Sequence, residues 1–206
     1  MFENQESQIF ILGFVLMLIF SLWFLIQKNK KPTYSFAFLV TSTTALSYLL
    51  LFDGTFVNIS QFNVPVYYTR WLFYALSCSL LMLTIAKFIK AKKENIIPIV
   101  LLNTLVMLTG AIAAILISPM KWIIFILGSL FFIAQILFLF EGVKNSKKSK
   151  IIKYYIFFGW ALFPVIFIFA PEGLSMIDNY TAALLYLLLD FFTKIVFYLN
   201  ISKYKN

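Results

Sequence analysis

The stretch Leu187–Leu199, LLLDFFTKIVFYL, decides the fold. Apart from Asp190, Thr193 and Lys194 its side chains are aliphatic or aromatic, and the apolar character extends back to Asn179. A helix over Asn179–Leu199 is long enough to cross the hydrocarbon core of a bilayer, which takes about 20 residues. An ionisable group at the middle of such a helix costs about 3 kcal/mol on insertion scales and persists mainly for function. Asp190 and Lys194 are four residues apart and so share one helical face. Two readings follow. The pair is an internal ion pair that lets the helix insert, or the amine carries a covalently bound group as a Schiff base with the carboxylate as its counterion.

The rest of the chain has the same character. Its 206 residues are 62% hydrophobic, 19% aromatic and 12% charged, and the mean hydropathy is +0.93. Soluble domains carry about twice that share of charge. With 25 Phe and 11 Tyr against 7 Gly and 6 Pro, there is no low-complexity linker and no second, water-soluble domain. The expectation is one membrane domain over residues 1–206, all-α, multi-pass, in the cell membrane. A single Cys excludes an internal disulfide framework. The absence of His removes the commonest metal ligand and acid–base group, so zinc hydrolases and Ser-His-Asp enzymes are excluded, no metal site is expected and the chain is not read as an enzyme.

Seven spans are predicted, over Gln8–Ile26, Tyr34–Phe52, Val66–Ala86, Ile96–Ile117, Trp122–Glu141, Ile151–Ala170 and Asn179–Leu199. Met1–Ser7 carries Glu3 and Glu6 and no Lys, unlike a signal peptide, so the first segment is read as a retained helix. Lys28, Lys30, Lys31, Lys87, Lys90, Lys92, Lys93, Lys144, Lys147, Lys148, Lys150, Lys153, Lys203 and Lys205 fall on one side; Glu3, Glu6, Asp53, Glu172 and Asp178, with Lys121, fall on the other. The lysine-rich side is cytoplasmic by the positive-inside rule, which puts the N-terminus outside and the C-terminus inside. The net charge of +9 then serves topology and contact with anionic lipid rather than nucleic acid. No internal repeat or matched pair of broken helices marks a secondary transporter.

Two further spans carry patterns. The sixth holds Trp160, Phe163, Pro164 and Phe167, followed by Glu172-Gly173. Large rings flanking a proline kink make a rigid slot for a flat polyene. The third reads VYYTRWLFYALSC and opens on Arg70, a third buried charge. Seven spans, an outside N-terminus and an Asp four residues before a Lys in the last helix resemble the microbial rhodopsins, which attach retinal to that lysine. The sixth span resembles their W-x-x-Y-P-x-x-W pattern and following E-G, with Phe in place of Tyr and of the second Trp.

With Arg70 as the family's third-helix arginine, Phe73 stands at the usual proton-accepting carboxylate, Ser77 at the usual Thr and Thr84 at the cytoplasmic proton donor. Cys78 and Tyr74 complete the pattern, Tyr74 standing where a Trp is common. This is similar to the schizorhodopsin branch, known for light-driven inward proton transport and a Phe-Ser-Glu pattern, except that Thr84 replaces the Glu. In this register Arg70, Phe73, Ser77 and Thr84 fall within about 80° of one another at about 100° per residue. A register one turn off would align Trp71 with the pocket Trp, but it sets Arg70 beside a cationic Schiff base and loses the Ser and Cys matches.

The resemblance implies retinal on Lys194, Asp190 as counterion held ionised by Arg70, and Cys78 and Ser77 tuning the Schiff base. It implies pocket walls from Tyr74, Leu81, Trp160, Phe163, Pro164 and Phe167, with Gly110, Phe125, Gly128 and Phe132 from the fourth and fifth spans. Protons are the expected cargo and a homo-oligomer, a trimer by resemblance, the expected assembly. A photosensor without net transport and a light-driven chloride transporter are the alternatives, the first favoured by the loss of Glu at Thr84, the second by Arg70 and the missing third-helix carboxylate. Asn103 is read as a helix-to-helix hydrogen bond, and Glu141 and Lys87 as border residues that snorkel. The pigment reading has a direct consequence: the purified protein supplied with retinal is coloured, and Lys194→Ala is colourless in the visible absorption spectrum.

Overall fold

The computed structural model describes residues 5–204; Glu3 and Lys205, assigned above to opposite sides by charge, lie outside the described residues. Seven helices are long and apolar enough to cross a membrane: α1 (Gln5–Gln27), α2 (Thr33–Phe52), α3 (Thr69–Phe88), α4 (Lys93–Ile115), α5 (Met120–Phe140), α6 (Lys147–Phe169) and α7 (Asn179–Ile201). They match the seven expected spans with shifted ends. The third starts at Thr69 rather than Val66 because a hairpin precedes it, in which β1 (Val57–Ile59) pairs antiparallel with β2 (Pro65–Tyr67). The Ser60 hydroxyl closes its turn by accepting from the Phe62 and Val64 N–H groups. α6 begins at Lys147 because Ser146 caps it, in a reciprocal exchange with Ser149 that satisfies two orphan donors of the first turn.

Successive helices α1 to α5 pack side by side, and α7 closes the bundle against α1, α2 and α6. Burial within the bundle is 61% for α7 and 56% for α3 but 17% for α5, so α3 and α7 form the interior on which a site is built. α5 presents Ile123, Ile126, Leu130, Ile133 and Leu137 outward at alternating three- and four-residue steps, a helical stripe suited to lipid. α3, α4 and α5 are joined by the expected polar contact: Asn103 Nδ2 donates to Ser79 Oγ at 3.0 Å, and Gln135 Nε2 donates to Asn103 Oδ1 at 3.3 Å.

α6 and α7 are not regular α-helices. α6 carries a π segment at Ile156–Trp160. Pro164 lacks the N–H that would bond the Trp160 carbonyl one turn earlier, and the α ladder breaks there. α7 carries a second π segment, Phe191–Val196, around Lys194. Its Phe197 N–H, which in an α-helix would bond the Thr193 carbonyl, goes to the carbonyls of Lys194 and Phe192 instead. The Thr193 carbonyl is thereby released for a tertiary partner.

Gly13 on α1 lets α2 approach closely. A Cβ there would lie 2.5 Å from Cδ1 of Tyr48, a side chain that is 1% exposed. Gly13→Ala therefore displaces Tyr48 and lowers stability by about 1–3 kcal/mol, read as a lower midpoint in a thermal melt followed by circular dichroism in detergent.

Candidate functional site

Asp190 and Lys194 are both wholly buried, and Lys194 Nζ lies 2.7 Å from Asp190 Oδ1. The contact is out of hydrogen-bond alignment, so neither atom has a hydrogen-bond partner among the described residues. The second carboxylate oxygen is fully engaged. Tyr74 Oη donates to Asp190 Oδ2 at 2.7 Å and Tyr48 Oη donates to the same atom at 2.9 Å. Hydrogen bonds to an ionised carboxylate are stronger than those between neutral groups. The Tyr74 ring also supports the amine, with Nζ 3.8 Å from its centroid.

Arg70 stands differently from the expectation. It makes no ion pair with Asp190; its guanidinium lies over the Tyr186 ring, 4.1 Å from the centroid. Tyr186 Oη in turn donates to Glu172 Oε1 at 2.8 Å. Tyr48 and Tyr74 intervene, both buried and both electrostatic neighbours of the guanidinium. The hydroxyls of Tyr48 and Tyr74, and not the guanidinium, meet the Asp190 carboxylate. Glu172, in the segment between α6 and α7, is 6% exposed. Burial raises its pKa above the ordinary value, with Arg70 pulling in the opposite sense. Lys121 is also buried near this end, with no hydrogen-bond partner for Nζ among the described residues.

Phe73, expected on the inward face, is only half-buried. The residues of α3 that face α7 are Arg70, Tyr74, Ser77, Leu81 and Thr84, each buried, at alternating four- and three-residue steps. Phe73 falls at the edge of that stripe, so its neighbour Tyr74 meets Asp190 and Lys194. Ser77 Oγ is turned back onto the Phe73 carbonyl, 3.1 Å away.

A narrow cavity of about 70 Å³ lies beside Tyr74 and Cys78. Gly110, Phe125, Gly128 and Phe132 from α4 and α5, and Trp160, Phe163, Pro164 and Phe167 from α6, line it as expected. Phe125 and Phe167 stack at 5.1 Å between centroids, and Phe163 stacks on Tyr186 at 6.1 Å. Leu81 does not line it. It is wholly buried in the packed core, two helical turns past Tyr74 and beyond the cavity's end at Cys78. Val106, Met107, Thr109, Ser129 and Thr193 line the cavity without having been foreseen, and so does Trp71, which only the rejected register had set in the pocket. Trp71 sits edge-on to Phe167 at 5.6 Å and fills the space over Gly110, where a Cβ would lie 2.8 Å from Trp71 Cε3.

Toward the lysine-rich end the polar groups thin out. Tyr155 Oη donates to the released Thr193 carbonyl, and Trp160 Nε1 donates to Tyr155 Oη at 3.1 Å. Tyr155 thus bridges a cavity wall on α6 to the residue before Lys194. Further along, Thr84 Oγ1 donates to the Leu80 carbonyl and pairs with Tyr198 Oη, each at 3.0 Å. At the border, Lys87 Nζ lies 4.9 Å over the Phe36 ring, and Glu141 pairs with Lys92 at 2.5 Å. That hydrogen bond holds the Glu141 carboxyl below its usual range.

The chain matches the family described as bacteriorhodopsin-like protein over residues 4–203. It belongs to that family, the microbial rhodopsins: multi-pass integral membrane proteins, light-driven pumps or sensors rather than enzymes, which carry retinal as a Schiff base on a lysine. Among solved structures it is similar to schizorhodopsin 4, with 31% identity, a TM-score of 0.90 and coverage of 96% of this chain and 98% of that one. It is 23% identical over 205 residues to archaerhodopsin-1 of Halorubrum ezzemoulense, covering 90% of this chain and 79% of that protein. It is 23% identical over 183 residues to sensory rhodopsin-2 of Haloarcula vallismortis, covering 84% and 77%.

The residues present fit retinal. A buried amine lies against one face of Tyr74, and the same tyrosine lines an aromatic-walled cavity.

The buried Glu172 supplies a pH dependence. Its pKa is raised on folding, so its contribution to stability is complete below the ordinary value of 4.5 and is lost as pH rises through the raised value. Glu172→Gln lacks that loss. The difference in thermal midpoint between the variant and the native protein therefore moves in the variant's favour as pH rises from about 4 to about 7.

Proposed function

We propose that this chain is a light-driven inward proton pump in which Lys194 is the retinal-bearing lysine and Asp190 its counterion. When bound, retinal supplies light absorption and an isomerisation that turns the imine N–H. The observation that carries the reading is the state of Asp190: one oxygen meets Lys194 and the other accepts from both Tyr48 and Tyr74. A carboxylate engaged in this way at both oxygens is read as counterion rather than as proton acceptor. At the other position where the family keeps an acceptor, Phe73 has no group that takes a proton. Outward transfer therefore has no acceptor near Lys194.

On the lysine-rich side, Cys78, Tyr155, Tyr198 and Thr84 supply groups that donate and accept. The lysine distribution supports placing that side in the cytoplasm, with the N-terminus outside. Proton entry from outside then passes the end at which Glu172, Tyr186 and Arg70 lie. The likeness to schizorhodopsin 4 over nearly the whole chain supports the same reading. A sensor without net transport is the second reading, favoured by Thr84, which lacks the carboxylate expected at that position.

Illuminated cells expressing the protein with retinal make their medium more alkaline, and a protonophore abolishes the signal. Thr84→Glu strengthens that alkalinisation. Acidification of the medium overturns the inward assignment, and a coloured, photocycling protein with no pH signal in either form is the sensor.

A further inference from the structure

Thr84 does not end in protein. It lies at the inner end of a second cavity of about 320 Å³ that opens at the lysine-rich face between α2, α3, the start of α6 and the end of α7. Lys87, Lys90 and Lys148 line this vestibule together with Phe36 and Phe88, and no carboxylate among the described residues does. The lysines are arranged rather than scattered. Lys87 Nζ leans on the Phe36 ring at 4.9 Å and Lys148 Nζ on the Phe88 ring at 5.0 Å. The carboxylates near this face are engaged elsewhere: Glu141 and Glu94 both pair with Lys92. A cavity lined by lysines, with no carboxylate of the described residues in its lining, concentrates oxyanions. Thr84 is among its lining residues, and its hydroxyl, bonded to the Leu80 carbonyl and to Tyr198 Oη, is a group that both gives and takes a proton.

From this we propose that the vestibule binds a phosphate-type oxyanion, free inorganic phosphate or the monoester headgroup of a lipid, which takes the place of the absent carboxylate at position 84 as proton acceptor. The proposal rests on the inward reading for its use, though not for the binding itself. The proton released at Lys194 restores Tyr198 Oη as Tyr198 passes its own proton to Thr84 Oγ1, 3.0 Å away, and the Thr84 proton leaves its bond to the Leu80 carbonyl for the dianion. The net change is that an N–H bond at Lys194 is broken and an O–H bond on the oxyanion is formed; the dianion becomes the monoanion, and both hydroxyls end protonated. Such an oxyanion titrates near neutral pH, whereas a threonine hydroxyl alone stores no proton. The vestibule thus supplies a titratable group where the chain has none.

The test uses the full-length pigment in phosphatidylcholine nanodiscs. In darkness, phosphorus-31 resonance is followed during titration with inorganic phosphate at constant ionic strength, with sulfate and chloride as controls. A parallel sample holds phosphatidic acid and no free phosphate. Saturable binding is expected in one arm or both, and the responding arm identifies the source. The pair Lys87→Gln and Lys90→Gln, with the visible spectrum retained as evidence of folding, weakens it about thirtyfold, the effect of two lysines near a phosphate surface.

After a light flash, the bound oxyanion speeds proton appearance at the lysine-rich face in the native protein, and the double variant loses the acceleration. Absence of lysine-dependent binding in both arms overturns the proposal. So does binding that leaves the flash-induced step unchanged. Because the dark titration does not depend on transport, failure of the vestibule is separable from failure of the inward reading.

Discussion

The contact between Asp190 and Lys194 constrains everything else in this bundle. Two charges wholly removed from water in the middle of a membrane helix are tolerable only when each meets its opposite and the remaining lone pairs find donors. Lys194 meets one carboxylate oxygen, and Tyr48 and Tyr74 close the other. These partners come from three helices, so the pair fixes how α2, α3 and α7 face one another. Gly13 is required for the same reason, since it makes room for the Tyr48 ring. The π segment around Lys194 also belongs to this arrangement. It frees the Thr193 carbonyl, which Tyr155 then satisfies from α6.

The two halves of the bundle differ in chemistry. On the side of Arg70, aromatic hydroxyls and rings connect Asp190 to Glu172 through Tyr48, Tyr74 and Tyr186, with the guanidinium stacked rather than paired. On the lysine-rich side the hydroxyls of Tyr155, Tyr198 and Thr84 precede the vestibule, Thr84 paired with Tyr198 and Tyr155 bonded to the Thr193 carbonyl. That asymmetry is what supports the inward direction proposed for the proton.

Much of this was legible in sequence, and the limits have physical causes. Asp190 and Lys194 stood out because charge in an apolar helix has so few explanations, and Trp160, Phe163, Pro164 and Phe167 because aromatic residues around a proline have a period and a purpose. Tyr48 and Tyr155 were not foreseen, and Trp71 was set aside with the rejected register. In a helix that is apolar on every side, hydrophobic periodicity does not tell the lipid face from the interior, so a tyrosine among leucines carries no sign of where it points. The same blindness misplaced Leu81, which shares the inward stripe of α3 yet lies beyond the cavity. Arg70 was read in its true position but with the wrong partner, because spacing along α3 says nothing of the Tyr186 ring on α7. The hairpin before α3 was hidden because its second strand, Pro65–Tyr67, overlaps the start at Val66 of the stretch read as the third span.

The account turns on Asp190 remaining an anion while the proton leaves Lys194 on the other side. Light-minus-dark infrared difference spectroscopy of the retinal-loaded protein observes that carboxyl directly, with Asp190→Glu used to assign its bands. The account predicts that no protonated-carboxyl band of Asp190 rises as the imine proton is lost. A band that appears with that step and shifts in Asp190→Glu would show the counterion accepting the proton, and would contradict the account.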